Sequence, residues 1–308
     1  MSKLVLIDGN AILHRAYHAL PKTLTTKDKE PINAVYGFVS MLLRIIQDLK
    51  PTHIAVCFDR KEPTFRKKEF EEYQAHRPEM DKDLDSQFDK AKDTVNSFGI
   101  PIYEKAGFEA DDVIGTIARL AISGTKRPST IDEVVIVTGD RDILQLVTDR
   151  VKVYLPIKGL SQAQLVGPKE VYEKLKVRPD QVDEYKALVG DPSDNYKGVP
   201  GIGPKTAEQL LGKYKDLDEI YSNLDKVDKK VAEKLKDGEK SARLAQRLAQ
   251  IVKDVSIKFD LEDTKGWNIG NQETVELFKE FGFKTLTKRV QEVGKKVEKE
   301  KQTSLFET

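Results

Sequence analysis

The sequence predicts an α/β fold, a mainly parallel sheet flanked by helices, followed by a smaller helical domain. Three observations carry this reading. Apolar runs at 4–7, 54–58 and 134–137 show no polar alternation, which marks strands buried on both faces. Stretches with helical spacing, at 34–49 and 111–120, lie between them, and alternating strands and helices build a parallel sheet. After about Gly167 the strand signals fade, and helical patterns run on to about Val293.

Taken in order, the first run ends on Asp8, the second on Asp59, and the third, through Thr138 and Gly139, on Asp140. Ligands of a parallel sheet bind beyond the carboxyl ends of its strands, so three strands are expected to deliver three aspartates to one edge. Residues 60–99 interrupt the alternation. Charge is dense there from Arg66 to Glu72, interleaved with Phe65, Phe70 and Tyr73. This part reads as one or two helices projecting from the sheet edge, with positions 70, 74 and 77 on one helical face. The α/β domain is therefore expected over 1–180, with the insertion at about 60–99, and the helical domain over 181–293. Residues 294–308, mostly Lys, Glu and polar, are expected to be a flexible tail. A chain of 308 residues has room for a separate core in each domain.

Composition bounds the function. With 39% apolar and 33% charged residues the chain reads as soluble, and its apolar runs are far too short to span a bilayer. Met1-Ser2-Lys3 leads straight into a strand, so no signal peptide is expected. The single cysteine, Cys57, sits inside an apolar run; it reads as a buried hydrophobe, excludes an internal disulfide, and points to a reducing, cytoplasmic setting. A net charge of +1, from 52 basic and 51 acidic residues, does not announce a nucleic-acid binder. A site packed with carboxylates would nevertheless offset basic patches beside it.

The acids are indeed clustered. To Asp8, Asp59 and Asp140 are added Glu109, Asp111 and Asp112 before an apolar helix, Asp142 two positions after Asp140, and Asp191 and Asp194 around Pro192-Ser193. A single Asp at a strand end is more often a helix cap than a ligand. Crowded like charges, however, cost stability unless cations neutralise them, and hard oxygen donors in this number suit Mg²⁺ or Mn²⁺. Two such cations per site support phosphodiester hydrolysis. The four histidines, at 14, 18, 53 and 76, lack zinc-like spacing.

A second motif concerns binding. Residues 198–207, Gly-Val-Pro-Gly-Ile-Gly-Pro-Lys-Thr-Ala, precede a helical run. Glycines let the backbone approach a phosphate, and the amides at the following helix start bind it. With Lys205 and Thr206 at that start, the segment fits a helix–hairpin–helix that reads the DNA backbone rather than its bases.

Taken together, these residues resemble the 5′ nuclease family, in the form joined to bacterial DNA polymerase I and related to flap endonucleases. The resemblance runs from Leu4 to about Val290. Leu6-Ile7-Asp8-Gly9-Asn10, Asn33 to Phe38, Phe58-Asp59, Thr64-Phe65-Arg66, Glu109 to Asp112, Thr138 to Asp142 and Gly190 to Asn195 stand in the family's order. It implies a PIN-like nuclease core with a helical arch and a C-terminal helix–hairpin–helix domain. One metal would fall chiefly to Asp8, Asp59, Glu109 and Asp111, and the second to Asp140, Asp142 and Asp191, with Asp112 and Asp194 in support. The resemblance further implies K⁺ on hairpin carbonyls near Gly201 and Gly203, and DNA contacts from Phe65, Arg66, Gly201, Gly203, Lys205 and Thr206. Tyr73 would stack on a base and Arg77 would meet the scissile phosphate. The implied substrate is branched or 5′-ended DNA, including RNA-primed strands, cut as a 5′-3′ exonuclease and flap endonuclease by a monomer.

The chain departs from the family at two places. Gln74 stands where a Lys is expected three positions before the arch Arg, and Tyr196-Lys197 replace the usual Ile-Pro. A DNA-binding module with weakened catalysis is the alternative that Gln74 raises; retention of all the acids argues against it. A small RNase with the same core is disfavoured by the hairpin domain. Finally, Gln302-Thr303-Ser304-Leu305-Phe306 resembles the short peptide by which bacterial replication proteins dock on the sliding clamp, with Gln302, Leu305 and Phe306 as anchors.

Overall fold

In the computed structural model, which describes residues 2–124, 130–158 and 162–306, and the side chains of all these except 158 and 301–306, a six-stranded sheet organises the chain. Its strands are β1 (Lys3–Asp8), β2 (His53–Cys57), β3 (Ile102–Tyr103), β4 (Glu133–Val137), β5 (Val151–Lys158) and β6 (Gln162–Val166), in the order β3-β2-β1-β4-β5-β6. Every pairing is parallel except β5 with β6 at the edge. Ile7 lies opposite Val56 on one side and Val137 on the other, so β2, β1 and β4 end side by side.

Alternate residues of these strands enter two cores. Val5, Ile7, Ile54, Val56, Val135 and Val137 face α1 (Gly9–Ala19), α2 (Asn33–Leu49) and residues further along the chain. Leu4, Leu6, Ala55, Cys57, Val134 and Ile136 face the other way. Burial on both faces is why the runs carry no polar alternation. Cys57 is buried there as expected. Among the described residues no helix is long and apolar enough to cross a membrane.

The insertion differs from expectation. Only α3 (Phe65–Glu69) is helical in its first half; residues 70–77 form turns, and Gln74 has a positive φ of 55°. Positions 70, 74 and 77 therefore do not share a helical face. The second half, α4 (Lys82–Ser97), does not project at all. Its Leu84, Ala91 and Val95 are buried in the core with α2, because a helix with an apolar stripe lowers its free energy by covering the sheet.

α5 (Ala110–Ser123) covers the opposite sheet face. After α6 (Pro168–Leu175) come α7 (Val182–Val189), the short antiparallel pair β7 (Gly190–Asp191) and β8 (Tyr196–Lys197), α8 (Pro204–Lys213), α9 (Leu217–Ser222) and α10 (Lys229–Ala249). Their Leu188, Val199, Ile202, Leu211 and Leu235 belong to the same core as Ile114 and Ile136. The helical region thus shares a core with the sheet rather than having its own.

The end of the chain also departs from the reading at 181–293. α11 (Gln272–Glu280) and α12 (Lys284–Phe306) turn back to the α2/α4 face, where Trp267, Phe278, Phe283, Leu286 and Val290 are buried. Residues 294–300 continue α12 instead of forming a flexible tail. Gly294 packs against Gly270, Glu298 accepts from Asn268, and Glu300 pairs with Lys50 at 3.3 Å. The side chains of Gln302, Leu305 and Phe306 lie outside the described residues.

Candidate active site

The carboxyl ends of β2, β1 and β4 place Asp8, Asp59 and Asp140 around one cleft of about 760 Å³. Asp8 closes β1 and caps α1: its Oδ1 accepts from Ala11 N at 2.9 Å and its Oδ2 from Thr138 Oγ1 at 2.7 Å. The helix cap is thus also one of the carboxylates lining the cleft, held in place by the two neighbouring elements. Gly9 follows because a Cβ there would lie 2.4 Å from the Phe58 ring. Asp59 is oriented by Ala110 N, 2.6 Å from its Oδ1, and its own N–H donates to Asn10 Oδ1 at 3.0 Å. Asp140 Oδ1 accepts from Asp142 N at 2.8 Å. The start of α5 brings in Glu109 and Asp111, which also line the cleft.

The last acids come from the β7–β8 pair. Asp191 pairs with Tyr196 in that ladder, and Asp194 sits in the turn between. Gly190 lets the ladder form: its φ is 84°, and a Cβ would lie 2.5 Å from Gly198 N. Carboxylate oxygens of Asp142, Asp191 and Asp194 come within 4.8 Å of one another. Lys186, on α7, donates to Asp142 and lies 2.5 Å from Asp191 Oδ2.

Crowding shows in the proton affinities. Burial, with neighbouring carboxylates adding to it, pushes Asp8, Glu109 and Asp142 up to about 7. Burial raises Asp111 well above the ordinary range, reinforced by Asp140 and Asp8. Burial would raise Asp191 too, but hydrogen bonds from Lys186 and Ser193 outweigh it and hold it below the usual range. Cations are what such a set of hard oxygen donors is suited to hold, and the donor chemistry fits divalent ions that retain water.

Other expected site residues take different places. Asp112 is fully buried and its oxygens accept from Arg66, Val252 N and Glu109 N, so it has no face for a metal. Arg66 lines the cleft but is only 2% exposed, and it donates to Asp112 and to the carbonyls of Leu248 and Gln250. Phe65 stacks under Arg66 and beside Phe108. Tyr73 is 4% exposed, packed with Tyr196 and Leu248, and its hydroxyl faces Glu109 and Asp194 at 3.4 and 3.3 Å. In this arrangement it offers no ring to a base. Arg77 reaches the cleft and pairs with Asp194 at 2.7 Å, where Gln74 Nε2 also donates, at 3.1 Å. Asp194 is thereby tied to the insertion.

The hairpin follows β8 directly, so Asp191 and the hairpin share one small ladder. Val199 and Ile202 are buried anchors, while Gly201 and Lys205 are exposed, Thr206 is half-buried, and Gly203 precedes the open start of α8. Ser241 holds the Lys197 and Gly198 carbonyls at 2.9 Å, and Lys234 donates to the Gly201 carbonyl at 3.1 Å. Three site residues were not singled out in the sequence. Asn10 and Thr138 stand inside quoted motifs, where adjacency to an Asp was the available signal. Lys186 stands in an ordinary helix, and nothing in its spacing marks it.

The chain matches the family described as "5′-3′ exonuclease, N-terminal resolvase-like domain" over residues 3–176, and "5′-3′ exonuclease, C-terminal SAM fold" over 177–270. It is 43% identical over 292 residues to DNA polymerase I of Caldicellulosiruptor bescii, covering 94% of this chain and 33% of that one. With DNA polymerase I of Bacillus subtilis the identity is 36% over 300 residues, covering 97% and 33%. The chain therefore spans about a third of the length of these relatives. Its fold is similar to T5 5′-exonuclease with bound zinc (TM-score 0.65, 22% identity, 94% and 98% covered) and to the catalytic core of Rad2 with DNA substrate (TM-score 0.58, 15% identity, 96% and 92% covered). On sequence and architecture together, this chain belongs to the 5′-3′ exonuclease family.

Proposed function

We propose that this chain hydrolyses DNA phosphodiesters as a structure-specific 5′-3′ exonuclease and 5′-flap endonuclease, removing RNA primers and flaps with Mg²⁺ or Mn²⁺. The observation that carries this is the gathering of Asp8, Asp59, Glu109, Asp111, Asp140 and Asp142 in one cleft beyond the carboxyl ends of β2, β1 and β4, with Asp191 beside Asp142, and with Asp8, Glu109 and Asp142 pushed up to about 7 mainly by burial. Such repulsion serves no purpose in a protein that only binds DNA. Asp8, Asp59, Glu109 and Asp111 would hold one cation; Asp140, Asp142 and Asp191 would hold the other. Bound cations would neutralise phosphate charge and steady the attacking and leaving oxygens.

The chain's own residues supply the positioning. Thr138 and the Ala11 and Ala110 amides hold Asp8 and Asp59 in one orientation each. Arg77, half-exposed at the cleft, is placed to meet the scissile phosphate once it leaves Asp194. Gly201, Gly203, Lys205 and Thr206 would take duplex phosphates on the far side of the β7–β8 ladder. A K⁺ ion at the hairpin would have to share the Gly201 carbonyl with Lys234. On sequence alone, the peptide at 302–306 would dock on a sliding clamp, and the nuclease would act as a monomer.

Incubation with 5′-flap DNA, with and without Mg²⁺, tests the reading. Metal-dependent cutting near the flap junction is expected. Tight flap binding with no cutting at any metal concentration would favour a weakened DNA-binding module, the reading that Gln74 supports.

A further inference from the structure

We infer that the Lys186 ammonium is a built-in counter-ion that competes with the second divalent cation for Asp142 and Asp191, and so sets how much free metal that position needs. The inference rests on the metal-dependent reading above.

The geometry of α7 fixes Lys186 there. Gly190 N–H bonds the Lys186 carbonyl to close the helix, so Lys186 stands one turn before Asp191. Its ammonium bridges Asp142 and Asp191 Oδ2, and all three side chains are at most 18% exposed. Lys186 provides the one side-chain hydrogen bond to the Asp142 carboxylate among the described residues. Among the other acids, Asp8, Asp59 and Asp140 accept from amide N–H groups and a hydroxyl, all neutral. Glu109 and Asp194 do face guanidinium groups, but Arg66 lies 3.5 Å from Glu109 while bonded to Asp112 at 2.7 Å, and Arg77 pairs with Asp194 alone at 2.7 Å. The Lys186 ammonium, by contrast, spans two of the carboxylates assigned to one metal position, the second.

Two cations at contact distance from the same pair of carboxylates repel each other strongly in a partly buried site. A divalent ion that takes both Asp142 and Asp191 must therefore push the ammonium off at least one of them. The lysine stem is long and flexible enough to retreat. Before metal arrives, the ammonium offsets the repulsion between Asp142 and Asp191; afterwards the lost ion pair is subtracted from the metal's affinity. The second position is consequently the weaker of the two.

The test is titration of the DNA-free protein with Mn²⁺, followed by electron paramagnetic resonance, for the unaltered chain and for Lys186→Met and Lys186→Arg. In Lys186→Met the weaker site should tighten by about tenfold or more, the equivalent of one lost charge contact. Lys186→Arg keeps the charge and should keep the weak site. In chelator, Lys186→Met should melt at a lower temperature than the unaltered chain, and Mn²⁺ should raise its melting temperature more. A folded Lys186→Met with an unchanged or loosened weaker site overturns the proposal, as does Lys186→Arg tightening as much as Met. If Lys186→Met does not stay folded in chelator, Lys186→Gln, which donates without charge, gives the same decision. Absence of any Mn²⁺ binding by the unaltered chain would instead overturn the metal-dependent reading itself.

Discussion

Arg66 and Asp112 form a buried bidentate pair, Nη1 to Oδ2 at 2.7 Å and Nη2 to Oδ1 at 2.8 Å. The pair joins the base of the insertion to the start of α5, and through the Leu248 and Gln250 carbonyls to the end of α10. The helix start that carries Glu109 and Asp111 is therefore clamped by a buried salt bridge. Removing one partner of such a pair leaves an uncompensated buried charge. Arg66→Ala should lower the unfolding free energy by about 3–5 kcal/mol, as measured by urea denaturation. A loss below about 1 kcal/mol would mean that the pair is not the clamp described.

The assignment of ligands is tested by Asp140→Asn. It removes a charge at the cleft while keeping the shape, so cleavage should fall by more than about 100-fold, beyond what loss of an outer partner costs. Flap binding should stay within a few-fold or tighten, since repulsion of phosphate is reduced. Near-normal single-turnover cutting by this variant in Mg²⁺ would remove Asp140 from the metal site.

Gln74 lines the cleft and donates to Asp194, beside Arg77. Gln74→Lys would add a cation where phosphate charge develops, an effect worth about 2.7–4 kcal/mol for comparable electrostatic donors. Part of it will be spent on Asp194, so a rise of about tenfold in the single-turnover rate is expected. An unchanged or lower rate would indicate a site built around glutamine.

Stability of the metal-free protein should depend on pH in an unusual direction. Asp8, Glu109 and Asp142 are raised to about 7 by burial and crowding, so the folded state binds more protons than the unfolded one between about pH 4 and 7. The stability that these three groups contribute is then full below the ordinary carboxylate range and is lost as pH rises through 7. In chelator the melting temperature at pH 8 should lie at least about 3 °C below that at pH 5. Excess Mg²⁺ at pH 8 should recover it, because the metal binds the folded, ionised cluster. A melting temperature that rises from pH 5 to pH 8 in chelator would contradict the crowding.

What the sequence determined by itself was the sheet and its acidic edge. Runs such as 4–7 and 134–137 are apolar at every position because both sheet faces are covered, and a parallel sheet has one place to put Asp8, Asp59 and Asp140. The glycine hairpin was legible for the same kind of reason, since its positive φ at Gly201 is local backbone chemistry. Tertiary structure alone decided the rest. The amphipathic stripe of α4 says that the helix covers something, without saying whether that is the sheet or a partner, and only packing against α2 placed it in the core. Likewise α11 and α12 are as helical as their neighbours, and the fit of Phe278 and Phe283 against α4 and α2, beside Phe98 and Tyr36, not any local signal, returned them to the first core. Among the charged residues the division is sharper. Asp111 and Asp112 are adjacent in sequence, yet successive positions on a helix point about a third of a turn apart. One therefore meets the cleft and the other meets Arg66. Lys186 reaches the acids because α7 and β7 meet at Gly190, a contact between chain segments that carries no signature in either. Local sequence records what a residue does to its own backbone; which distant charge it faces is a property of the packed fold.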